Sequence, residues 1–214
     1  MKKALLLAAL AVLAAFEIAV YWNVRLLERA AGVSGDPAEK ARVLEGAVRV
    51  YPWNDRVSLE LGKACFEAGA QSLGAVPARD AAFGRSVRHF LRALSLNPGS
   101  AAAHFELAQT LQFMSYLSLP APAPYFEEYK KAAALTGHNS QVYAEVGKVL
   151  LGRWESLRPE ERDFTLDILR KTLAGRDRGR LREVLEVWYL HGRDYAVSDG
   201  MLMGRTKCPP LRAR

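Results

Sequence analysis

An all-α architecture is what this sequence predicts: antiparallel helix pairs in tandem behind one apolar N-terminal helix. Three observations carry it. Half of the residues are apolar while alternating β-branched runs are almost absent, which favours helices over strands. A segment with Ala after a large apolar residue and a helix-ending Pro or Gly recurs along the chain. The first two dozen residues form a separate, nearly uncharged block.

That block comes first. Lys2-Lys3 precede an apolar run from Ala4 to Phe16, and after Glu17 the run resumes through Trp22. As a helix, these nineteen positions extend about 28 Å, close to the roughly 30 Å hydrocarbon core of a bilayer. Residues 1–24 therefore read as a signal-anchor or transmembrane helix. The rival is a cleaved signal peptide, for which the basic start and the small residues Val12 and Ala14 are suited. Tyr21 and Trp22 favour the anchor, because aromatics concentrate at membrane interfaces. Charges flanking the helix nearly balance, and the signal-like order places the rest of the chain outside the cytoplasm, periplasmic in a bacterium. Cleavage would make it secreted.

The repeats follow. ARVLEGAVRVYPWN from Ala41, SVRHFLRALSLNPGS from Ser86 and PYFEEYKKAAALTGHNS from Pro124 share one spacing. In each, Ala stands three positions after a large residue and a helix breaker five further on: Leu44, Ala47, Pro52; Phe90, Ala93, Pro98; Tyr129, Ala132, Gly137. Beyond each stop lies a large-small pair, Leu61-Gly62, Leu107-Ala108 and Val146-Gly147, and small residues let helices approach closely. This pattern resembles the tetratricopeptide repeat family, built from helix-turn-helix units of 34 residues. The resemblance covers roughly residues 38–175, with LRALSLNPGS its best match, and implies an antiparallel helix-pair superhelical array. The sequence departs from the family where Ser58 and His104 stand in place of Trp, while Tyr143 keeps that position aromatic.

The expected organisation is a first partial repeat at 25–54, a second at 55–100 with an insertion, and a third at 101–139 with a Pro-rich insertion. A degenerate fourth occupies 140–175, a terminal helix 176–196, and a basic tail without helical periodicity 197–214. About a dozen extra residues between Gly69 and Ser86, and about five across Ser118–Pro124, are expected as loops or short extra turns. Pro159 opens a helix with Glu160 and Glu161 in its first turn, where the dipole favours anions, and Gly175 closes it. The helix at about 179–190 still has an apolar side, so the array there is continued or atypically capped.

Charge excludes little and motifs exclude more. The formal charge is +7, but Arg205, Lys207, Arg212 and Arg214 in the tail account for four, leaving +7 − 4 = +3. A general basic surface for nucleic acid is therefore disfavoured. The densest cluster, Arg170, Lys171, Arg176, Arg178, Arg180 and Arg182, reads chiefly as a solvated helix–loop junction. Cys65 and Cys208 form no disulfide framework. His89, His104, His138 and His191 show no metal-ligand spacing. Gly62-Lys63 and Gly147-Lys148 lack the rest of a phosphate loop and read as repeat glycines inside helices. The paired glutamates at 127–128 and 160–161 point apart on a helix. No enzyme, metal or cofactor is expected.

By the family resemblance, the first helix of each unit lines a concave groove for an extended peptide or partner helix. The positions this assigns are Arg56, Lys63 and Phe66, then Phe105, Gln109, Gln112 and Phe113, then Gln141 and Lys148. Amides can bond an extended backbone and cations can meet carboxylates. The family's carboxylate clamp is not reproduced. The expected function is a membrane-tethered scaffold for protein–protein interaction, in bacterial envelope or polysaccharide assembly and secretion by analogy with anchored proteins of the family. Two alternatives stand beside it: a basic binder of nucleic acid or lipid headgroups, and a non-catalytic accessory subunit of a membrane enzyme.

Overall fold

The computed structural model describes residues 2–33, 35–136 and 141–174, and among them every regular element is helical. In order these are α1 (Lys2–Gly32), α2 (Pro37–Val50), α3 (Asp55–Gln71), α4 (Val76–Leu96), α5 (Ala101–Tyr116), α6 (Tyr125–Ala134), α7 (Gln141–Leu151), a 3₁₀ turn (Trp154–Ser156) and α8 (Pro159–Ala174). The all-α expectation holds. The chain divides into two units, Met1–Tyr129 and Lys130–Arg214, with the division inside α6.

In the first unit each helix packs on the one before it, α1 on α2, α2 on α3, α3 on α4 and α4 on α5, and α5 also reaches α3. Four-residue connections force this folding back. Three of the four end in a side-chain cap. Asp36 accepts from the Ala38 and Glu39 amides at 2.9 and 3.1 Å with Pro37 opening α2, Asn54 accepts from Val57 N, and Ser100 accepts from Ala103 N. Each satisfies an otherwise orphaned helix-start donor.

α1 runs unbroken through the expected boundary at residue 24. Arg25 to Ala31 are good helix formers with no Gly or Pro among them, so nothing ends the helix there. Its N-terminal part exposes Leu5, Leu7, Leu10, Val12, Leu13, Phe16 and Ile18, whereas Leu26, Leu27 and Ala30 join the core formed by Leu44, Ala47, Val57 and Leu61. One helix is thus both the apolar segment and the first helix of the array.

Of the two forms expected between Gly69 and Ser86, loop or short extra turns, the chain adopts the turns, as extensions of two helices. α3 continues to Gln71 and α4 starts at Val76, leaving only residues 72–75 as a turn. Val76-Pro77 suit a helix start, and no further proline follows until Pro98, just beyond the end of α4. The added turns are fastened by aromatic packing, since Phe66, Phe83 and Phe113 form a triangle with centroids 5.3–5.7 Å apart. Gly69 permits it, for a Cβ there would lie 2.9 Å from the Phe83 ring. Gly62 acts likewise one level along, where a Cβ would come within 2.5 Å of Phe90.

The segment 118–124 lacks regular structure apart from turns and bends, as its prolines require. α5 ends in a Schellman arrangement: Leu119 N donates to Met114 O at 2.9 Å and Ser118 N to Ser115 O at 3.2 Å, with Ser118 at φ 55°.

In the second unit α7 packs on α8. Ala144, Leu151, Leu166 and Leu169 form its core with Trp154 alongside, and Gly147 lies where a Cβ would be 3.0 Å from Ile168. Glu161 turns back to accept from Arg158 N at 2.9 Å and from the Arg158 guanidinium at 3.0 Å, a capping-box closure of α8. Arg162 donates to the Trp154 and Glu155 carbonyls and lies over the Trp154 ring. Gly137, His138, Gly175, the expected helix at 179–190, the 176–182 part of the basic cluster and the tail with Cys208 lie outside the described residues.

Candidate functional site

The helical period sets the candidate surface in the first unit. On α3, Arg56, Glu60, Lys63 and Glu67 recur every three or four residues and fall on one stripe. On α5, Glu106, Gln109 and Phe113 do the same. Lys63 joins the stripes: its Nζ lies 3.1 Å from Glu60 Oε1 and 3.7 Å from Glu106 Oε1. Burial pushes the Glu106 carboxyl above its ordinary value; the Lys63 ammonium opposes this, and Glu60 and Glu67 add to the rise. Two cations against three carboxylates give this face a charge of +2 − 3 = −1. Such a face offers carboxylates to a cationic segment and the Gln109 amide to a peptide backbone.

The nine groove positions fare unequally. Arg56 is exposed, and Lys63 and Gln109 are half-buried at the surface. Phe66 and Phe113 are half-buried within the aromatic triangle. Phe105 and Gln112 are buried. Phe105 stands 6.0 Å from the Tyr129 ring, and Gln112 Oε1 accepts from the Tyr129 hydroxyl at 2.8 Å. These two are interior residues, because Tyr129 of α6 covers that side of α5, a helix that is apolar around most of its circumference. In the second unit Gln141 is exposed, and Lys148 is half-buried with its Nζ 2.8 Å from Glu145.

Three features were missing from the sequence reading. Glu60 and Glu106 were the first, and the Glu60–Lys63 spacing was the signal for one of them. The second is a buried polar contact in which His104 Nδ1 lies 2.6 Å from Glu128 Oε2 while Nε2 lies 3.2 Å from Pro98 O. Both ring nitrogens thus face acceptors at the position where the repeat family favours Trp. The third is Asn23, buried although it directly follows Trp22.

Gly62 and Gly147 lie inside α3 and α7, so neither starts a phosphate loop. Cys65 is buried and its thiol is pushed up by desolvation, which disfavours the thiolate. His89 is pushed down by burial. Among the described residues no group of three or more His, Cys, Asp or Glu side chains is arranged to hold a metal ion.

No protein-family model matches the chain, and no curated protein matches it. A crystal structure of MamA is similar at 16% identity, over 74% of this chain and 92% of that one, with a TM-score of 0.28. The fold assignment therefore stands on the chain's own packing: an all-α succession of helix pairs, led by a helix whose Leu7–Gly32 stretch is long and apolar enough to cross a membrane.

Proposed function

We propose that this protein is a membrane-tethered helix-repeat scaffold that holds a protein partner on the α3/α5 face. The observation that carries the reading is the continuity of α1. Its apolar N-terminal part exposes side chains no soluble surface would favour, and the same helix becomes the first layer of the array without a linker. A tether so joined holds the array at a fixed height and orientation. The array lies outside the cytoplasm in this reading, and the setting expected from the family resemblance is envelope assembly in a bacterium.

Partner capture is assigned to Arg56, Lys63 and Gln109 with the carboxylates between them, and in the second unit to Gln141 and Lys148. Phe66 and Phe113 contribute only their exposed edges. The test is a detergent-solubilised pull-down from native membranes comparing the natural chain with Arg56→Glu/Gln109→Glu. Both side chains lie outside the core, so helical content should be unchanged while the co-purified protein falls by about ten-fold, equivalent to roughly 1.4 kcal/mol. Equal recovery with the variant would move the site elsewhere. Release of the chain by alkaline carbonate would separately defeat the tether.

A further inference from the structure

Resting on the tether reading, we propose that the turn between α2 and α3, Val50–Trp53, is a second membrane contact that sits in the bilayer interface beside α1. The turn is aromatic and exposed. Tyr51 meets the Phe16 ring edge-on at 5.8 Å and the Trp53 ring at 6.1 Å, while Trp53 is 71% and Val50 41% exposed. Phe16 belongs to the apolar run of α1, so the turn is packed against the tether itself.

The fold does not require these side chains. The turn between α4 and α5 is the same structure one repeat later, with Ala93 matching Ala47 and Pro98 matching Pro52. Tyr51 N donates to Ala47 O at 3.0 Å, and Asn97 N to Ala93 O at 2.9 Å; the dihedrals are φ −140°, ψ 84° and φ −142°, ψ 84°. In the α4/α5 turn, Asn97 and Gly99 stand where Tyr51 and Trp53 stand beside α1, and Asn97 Nδ2 donates to Asp55 Oδ2 at 2.8 Å. Aromatics replace polar and small residues only where the tether is adjacent, and Trp and Tyr are the side chains that concentrate at bilayer interfaces.

The geometry also accounts for Glu17. Asn23 stands seven positions after Phe16, about 10 Å along a helix. An interface spanning that interval holds Phe16, Tyr21, Trp22, Tyr51 and Trp53 together and lets the Glu17 carboxylate reach the headgroups. The hydrocarbon is then crossed by Ala4–Phe16, about 20 Å of helix and so about 10 Å shorter than a typical bilayer core, a mismatch met by local thinning of the bilayer. Arg92 Nη2 fixes the turn by donating to Pro52 O at 3.0 Å, and the exposed Arg49 beside it suits anionic headgroups.

The experiment reconstitutes the full chain in phosphatidylcholine/phosphatidylglycerol vesicles with Trp53 as sole fluorophore, through Trp22→Phe, Trp154→Phe and Trp188→Phe. Lipids brominated near the carbonyl end of the acyl chains should quench Trp53 emission roughly two-fold, as expected of an interfacial indole, and aqueous iodide should quench it weakly. A parallel chain keeps only Trp22. Quenching of Trp22 by bromolipid with Trp53 open to iodide would overturn the proposal and leave the tether standing. Carbonate-extractable chains with neither residue quenched would overturn the tether reading itself. Trp53 shielded from both quenchers would assign the turn to a second copy of the chain and equally overturn the lipid contact. Trp53→Cys carrying an environment-sensitive dye, with Cys65→Ala and Cys208→Ser, repeats the measurement should the tryptophan-depleted chain not fold. Its emission should rise on reconstitution, and an emission unchanged from detergent-free buffer would count against the contact.

Discussion

The Asn23 carboxamide donates to the Ala47 carbonyl oxygen at 3.0 Å, tying the tether helix to the second helix of the first pair. Ala47 O also accepts the Tyr51 amide, and Asn23 Oδ1 accepts from Asn54 Nδ2 at 2.7 Å, the residue that caps α3. One buried amide thus joins three helices where an apolar segment becomes a folded array.

Asn23→Ala should remove one buried and one part-buried hydrogen bond and leave Asn54 Nδ2 without that acceptor, costing roughly 1–3 kcal/mol. Asn23→Ala/Asn54→Ala should lose less than the sum of the single variants, since the two share a bond. Thermal unfolding in detergent checks both, and strict additivity would show the amides acting independently.

At Gly62 the neighbouring obstacle is the Phe90 ring, with Cε1 2.5 Å and Cδ1 2.6 Å from where a Cβ would stand. A buried ring on a packed helix cannot swing away, so Gly62→Ala should destabilise by about 1–3 kcal/mol despite the better helix propensity of Ala. Gly147→Ala should cost less, because its neighbour is a single methyl of Ile168 at 3.0 Å. Urea unfolding of the pair ranks them, and the reverse order would contradict the contact geometry.

These glycines mark how far the sequence was legible. The large-small pairs at 61–62 and 146–147 and the Ala47, Ala93 spacing gave the close helix crossings, because each is fixed by local period and one contact. For the insertion at 70–85 the sequence leaves loop and extra turns both open, because its helicity depends on Phe83 finding Phe66 and Phe113, contacts far apart in sequence. Phe105 and Gln112 follow a related rule: register identifies which side of α5 a residue occupies, but not that Tyr129, beyond a proline-rich connection, covers that side. Asn23 was hidden inside a stretch whose composition speaks only of membrane.

Ser118 is the one non-glycine residue with positive φ among those described, at 55°, and it closes α5 in the position usually given to glycine. Ser118→Gly should raise stability by up to about 1 kcal/mol by relieving the left-handed conformation, less the added freedom of the unfolded chain. The test is a small rise in the unfolding midpoint. A fall would mean the Ser118 side chain supports the turn.

Glu106 provides the pH dependence. Its carboxyl is held above the ordinary value of 4.5, with burial the largest cause, so the folded state binds its proton more tightly than the unfolded state. The resulting stabilisation is complete below pH 4.5 and is lost as pH rises through the raised folded value. Glu106→Gln cannot ionise and escapes that loss. The variant should therefore gain on the natural chain as pH climbs from 4 to 8, with no comparable gain at the acid end. Lys63 works in the opposite direction, but it is 3.7 Å from Glu106 and shares its charge with Glu60 at 3.1 Å. Midpoints measured across that range decide which influence dominates: a variant that falls further behind the natural chain at pH 8 than at pH 4 would make the ion pair, not burial, the controlling interaction on this face.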